Sequence, residues 1–166
     1  MSDLYSVKTV EELVAQIKLL RSKTFGMSYP HRIVLMFAIC KLIDQMPSRS
    51  NRFYFDHELE KMFRDVWNEI VPGGPPGLLE YPFYHMTNTG IWHHQVKPEK
   101  KEIYDQYQRF TPSRIRETID YAYLDAPVFE LLKEKKTRSL IESELRSYMT
   151  EYISDNPTVA FSQNSG

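Results

Sequence analysis

The sequence predicts an α+β, predominantly helical single domain, with a winged-helix-like core of helix, strand, helix and hairpin followed by C-terminal helices. Three observations predict it. Apolar residues recur at helical spacing in several windows, aromatic-rich segments that read as extended lie between them, and 166 residues with 42% hydrophobic and 26% charged content suffice for one core but not two. The domain is expected to span residues 1–155, with 156–166 as a flexible tail. No internal repeat is visible.

The elements follow in order. Val10, Leu13, Val14, Ile17 and Leu20 form one stripe of an amphipathic outer helix starting near Lys8 or Thr9. After a break at Gly26, Ser28-Tyr-Pro30 opens a second helix, since serine caps free amides and proline is tolerated in a first turn. Ile33 to Ile43 is apolar almost all round, which makes this helix central. Arg52 to Phe55 has the content of a short strand, and Asp56 caps a third helix carrying Leu59, Met62, Phe63, Val66, Trp67 and Ile70 on one face. Pro72 to Gly77 ends it as a surface loop.

Tyr81 to Met86 and Ile91 to Val96 read as two strands of a β-hairpin around Thr87 to Gly90, with glycine placed for positive φ. Ser113 then caps a helix through Tyr123, Asp125-Ala-Pro127 starts another, and Thr137 begins the last, ending near Ile153. The order of elements fits both a winged-helix module, whose hairpin touches DNA, and small α+β domains with no nucleic-acid role.

Charge and cysteine usage exclude several classes. Twenty-one basic residues against 22 acidic ones rule out a globally basic protein that coats nucleic acid. A single cysteine, Cys40, can form neither an intramolecular disulfide nor a thiolate zinc site, which fits a reducing, cytoplasmic setting. The first residues carry no signal pattern and the longest apolar run falls short of a bilayer span.

Locally the charge is uneven. From His93 to Arg116, Lys97, Lys100, Lys101, Arg109, Arg114 and Arg116 stand against Glu99, Glu102 and Asp105, a net of +3, whereas residues 117–166 hold five basic and nine acidic groups, a net of −4. The basic segment, interleaved with Tyr104, Tyr107 and Phe110, is the side expected to face a polyanion, unless it is simply solvated surface. His31 and Arg32 sit in the first turn of the central helix, where the macrodipole already places positive charge; an anion there would make that placement favourable, while without one both residues are surface groups.

Catalytic motifs are weak. His93 and His94 are adjacent on a strand and point to opposite faces, and His85 has no acidic partner at ligand spacing. Glu99-Lys-Lys101 and Glu134-Lys-Lys136 both match a short nuclease element, and the second lies in a helical window, the wrong context. No phosphate-binding glycine loop or nucleophile elbow occurs.

Ser28-Tyr-Pro-His-Arg32 opening an apolar helix, Tyr81-Pro-Phe-Tyr-His85, Gly90-Ile-Trp92 and the helical C-terminal part together resemble the sulfur-binding domain of phosphorothioate-dependent restriction endonucleases, over roughly residues 25–155. That family reads DNA in which sulfur replaces one non-bridging phosphate oxygen, and a separate HNH domain makes the cut. The resemblance implies a recognition module for double-stranded phosphorothioate DNA, with no catalytic residue, metal, cofactor, membrane or small-molecule substrate of its own. By the same carry-over Tyr81 and Pro82 wall an apolar cavity, His85 contributes its remaining side or bonds a phosphate or base, and His31 and Arg32 hold the modified phosphate. Lys97 and Arg109 are candidates for flanking phosphates or base edges.

Overall fold

The helix Tyr29–Gln45 (α2) runs through the centre of the molecule: every residue from Ile33 to Cys40 is fully buried, which an all-apolar helix requires of its neighbours. A computed structural model describes residues 8–20, 29–70, 72–73 and 77–155. The Gly26 break, the Ser28 cap and the tail at 156–166 lie outside the described residues.

Around α2 pack His57–Ile70 (α3), Glu80–His85 (α4), Ala126–Lys133 (α7) and Lys135–Asp155 (α8), with Val10–Leu19 (α1) laid against α8, while Lys101–Gln106 (α5) and Pro112–Thr118 (α6) lie to one side. The described residues form a mostly helical α+β domain with one small antiparallel sheet, made of Trp92–Val96 (β1) and Ile119–Leu124 (β2). Among them no helix is long and apolar enough to cross a membrane.

Several helix starts follow the expected chemistry. Thr9 Oγ1 accepts from Glu12 N at 3.1 Å and Asp56 Oδ1 from Leu59 N at 3.0 Å, each satisfying an orphan amide.

Several expectations fail. Tyr81 to Met86 is not a strand: it forms α4, which passes into a 3₁₀ turn at Met86–Thr89. Leu79, Pro82, Phe83 and Met86 are the buried positions, a helical spacing. Pro82 falls in the first turn of α4, where no N–H is required of it. Gly90 does take positive φ, 81°, but as the cap of the 3₁₀ turn and not as a hairpin corner. The hairpin is therefore replaced by a long-range pair, β1 with β2, in the register Trp92 to Leu124 and His94 to Ala122.

The helix through Tyr123 also stops early, at Thr118, and is capped by Thr111 in place of Ser113. Past a register irregularity at Asp120, Tyr121 to Leu124 then alternates, with Ala122 and Leu124 buried and Tyr121 and Tyr123 half-buried on the other face. The expected strand at Arg52–Phe55 contracts to one bridge, in which Phe53 and Ala122 exchange both backbone bonds at 2.8 Å. Asn51 extends it with its side chain, accepting from Leu124 N at 2.9 Å and donating to Leu124 O at 2.7 Å.

A candidate anion-binding corner

Helix α4 is short, so its carbonyls need outside partners, and they have them. Pro82 O accepts from Met86 N, Tyr84 O from Thr87 Oγ1 at 3.2 Å, and Phe83 O from both Trp92 Nε1 and His94 Nε2 at 2.8 Å each. These bonds pin α4 onto β1 and fix which of its faces meets solvent.

That face carries Tyr81 and His85, four residues apart and both exposed, Tyr81 by 47%. The Tyr81 ring stands 5.9 Å from the imidazole of His31, in the first turn of α2, and His31 lies 4.6 Å from the indole of Trp67 on α3. Gly77 packs its backbone directly on that indole, where an added Cβ would come within 2.3 Å of the ring. Leu78, beside it, is exposed. The result is a corner in which the exposed ring of Tyr81 lies beside an imidazole at the start of a helix with no acidic residue in its first turn.

The seven expected site residues fare differently. His31 and Tyr81 come together, His31 partly exposed and Tyr81 more so, whereas Pro82 is buried and walls no exposed surface. His85 lies one helical turn from Tyr81, and desolvation lowers its pKa from the ordinary 6.5. It flanks Tyr84, whose ring stacks at 3.7 Å on Phe110, next in sequence to the exposed Arg109. Arg114 Nη1 donates to Arg109 O at 2.9 Å and so shapes that loop.

Arg32 corrects the expectation of a surface phosphate ligand. It is fully buried, and its Nε donates to Leu20 O at the end of α1, a C-capping bond that ties the two helices together. Burial lowers its pKa to about 10, still protonated at neutral pH. Lys97 also turns away from the corner: its Nζ donates to Arg116 O at 2.7 Å, near the end of α6, and it lines a separate cleft.

Trp67, Gly77 and Leu78 were not singled out by sequence. Trp67 reads as one more member of the α3 core stripe, and nothing local marks it as the floor under His31. A cleft of about 440 Å³ follows the Gly77–Glu80 segment, but its charged groups are Arg64 and Arg116 with Glu60 and Glu80, which gives it no net preference for an anion. Among the described residues no three metal-ligating side chains converge. Compared with known proteins, the chain matches no family model and no curated sequence.

Proposed function

We propose that the chain is a binding module for phosphorothioate DNA, reading the backbone sulfur at the corner between α2 and α4. The observation that carries the proposal is the exposed Tyr81 ring beside the His31 imidazole at the N-terminus of α2. Sulfur is larger and more polarisable than oxygen, accepts hydrogen bonds more weakly and is less strongly hydrated, so an apolar edge takes it with little loss. An ordinary phosphate oxygen pressed against the same edge loses water without replacement, at a cost of about 1–3 kcal/mol. That difference is the selectivity, and the helix end with His31 supplies attraction for the rest of the anionic group.

In this reading Tyr81 is the discriminating wall, with Pro82 and Trp67 setting its position. His85 and Arg109 take flanking phosphates along the exposed face of α4. Arg32 acts as the bolt that keeps α2 and its His31 in place. A winged-helix-like use of the fold, with a hairpin laid on DNA, finds no support in the pairing of β1 with the distant β2.

The test is a fluorescence anisotropy titration, at fixed salt, of two duplexes identical but for one sulfur. The proposal expects tighter binding of the sulfur duplex, about 5- to 150-fold from the desolvation difference. Tyr81→Ala should erase most of that preference while circular dichroism stays native. Equal affinities for the two duplexes would sink the sulfur reading; strong sequence-dependent binding of the unmodified duplex would replace it with a regulator of ordinary DNA.

A further inference from the structure

The outward face of the sheet is a second surface, independent of the sulfur reading. Alternation sends Ala122 and Leu124 into the core and leaves Tyr121 and Tyr123 on the opposite side, where they join neighbours from the flanking segments. The rings form one row: Tyr54 to Tyr121 at 5.7 Å, Tyr121 to Tyr123 at 6.1 Å, and Tyr123 to His93 at 5.2 Å. The exposed Arg52 lays its guanidinium 4.7 Å from the Tyr121 ring centre.

Cross-strand packing accounts for the pairing of Tyr123 with His93. It does not account for Tyr54. That residue follows a single-residue bridge, has no ladder of its own to stabilise, and leaves 43% of its surface in water. Beside it opens a cleft of about 270 Å³ lined by Lys97 and Arg116. The acidic groups nearby are largely engaged. Asp125 is paired with His93, and Asp56, which caps α3, lines the cleft with Asp120, so two carboxylates stand beside Arg52, Lys97 and Arg116.

We infer that this row of Tyr54, Tyr121 and Tyr123, edged by Arg52, Lys97 and Arg116, is a stacking platform for the unpaired bases of single-stranded DNA. Every base has a π face, so a tyrosine row takes them in any order, and the three cations against two carboxylates, Asp56 and Asp120, leave an excess of positive charge for the phosphates between them. The pairing of rings with flanking cations favours this occupant over an apolar protein surface, which would need no cations.

The experiment uses the full chain and a fluorescein-labelled oligothymidylate of about 15 nucleotides, titrated at about 50 mM and 200 mM salt. Binding is expected at the lower salt, weakened at the higher. Tyr54→Ala and Tyr121→Ala should each weaken it about tenfold, and Arg52→Ala should flatten its salt dependence, whereas Leu140→Ala on α8 should leave it unchanged. Tyr54 is exposed enough that its variant should fold even if Tyr121→Ala does not. Absence of binding, or binding that survives both tyrosine variants, overturns the inference. So does a dimer, seen by light scattering, that Tyr54→Ala dissociates while no oligonucleotide binds. Oligothymidylate contains no sulfur, so this result and the two-duplex titration can fail separately.

Discussion

Acid should destabilise the protein through His94, and the effect can be isolated. His94 lies on the inner face of β1 with both ring nitrogens in use: Nε2 donates to Phe83 O at 2.8 Å and Nδ1 accepts from the Tyr104 hydroxyl at 2.9 Å. The ring is thus held neutral, and burial lowers its pKa from 6.5 to about 4. Because the unfolded chain binds the proton more tightly, the stability this histidine confers is complete above pH 6.5 and falls away as the pH drops towards 4. At about 1.4 kcal/mol for each tenfold difference in proton affinity, the whole loss is roughly 3 kcal/mol. A second group acts in the opposite sense. Burial, and then the neighbouring Asp44 carboxylate, push the pKa of Glu142 on α8 up to about 7, so the folded protein holds that proton more tightly and the associated stability disappears as the pH rises through 7. The two slopes oppose each other between about pH 4.5 and 6.5, so the wild type should look nearly indifferent to pH there. Glu142→Gln keeps the side-chain volume, removes the second proton and uncovers the first. Urea melts followed by tryptophan fluorescence should show this variant losing about 2–3 kcal/mol between pH 7.5 and 4.5, and His94→Gln in the same background should restore a level profile. A Glu142→Gln protein whose stability stays level over that range would refute the account of a neutral, doubly bonded His94.

Three further outcomes are expected. Arg32→Ala removes a buried donor to the end of α1 and should lower stability by about 2–4 kcal/mol in thermal or urea melts, with loss of binding to both duplexes tracking the loss of folded protein. Gly77→Ala drives a methyl group into the Trp67 ring; a cost of about 1–3 kcal/mol and a shifted tryptophan emission should appear together, and a silent substitution would mean the corner has no such floor. Trp92→Phe takes one of the two donors from Phe83 O while keeping an aromatic ring in the core, so it should cost at least about 1 kcal/mol in the same melts.

The helical framework was legible because apolar period and caps agree: Thr9 and Asp56 cap where their side chains suggest, and α2 is central because no face of Ile33 to Cys40 is polar. The sheet was not legible. Tyr81-Pro-Phe-Tyr-His85 has the aromatic content of a strand, yet what decides its conformation is the pair of donors, Trp92 Nε1 and His94 Nε2, that reach Phe83 O from β1. Likewise Ile119 to Leu124 continues straight from α6 in sequence, and only its partners on β1 and at Phe53 draw it out as a strand. Long-range hydrogen bonds of this kind leave no local mark.

That Tyr81 and His85 share a face does not depend on the secondary structure assigned to them, for a geometric reason. An even spacing places Tyr81 and His85 on one side of a strand, and a spacing of four places them on one face of a helix, so their joint exposure survives the wrong assignment. Pro82 does not share this protection. A strand would set it opposite Tyr81, whereas the helix turns it about a quarter of the way round and under the ring. Arg32 fails for a related reason: it follows His31 by one position on α2, and with His31 directed at Trp67 and Tyr81 the next side chain is carried round into the interior, where the end of α1 waits for a donor. In the proposed reading discrimination falls on Tyr81, which among the described residues is the large exposed side chain whose ring stands 5.9 Å from the His31 imidazole. In the two-duplex titration Tyr81→Phe, which keeps the ring, should preserve the preference that Tyr81→Ala removes.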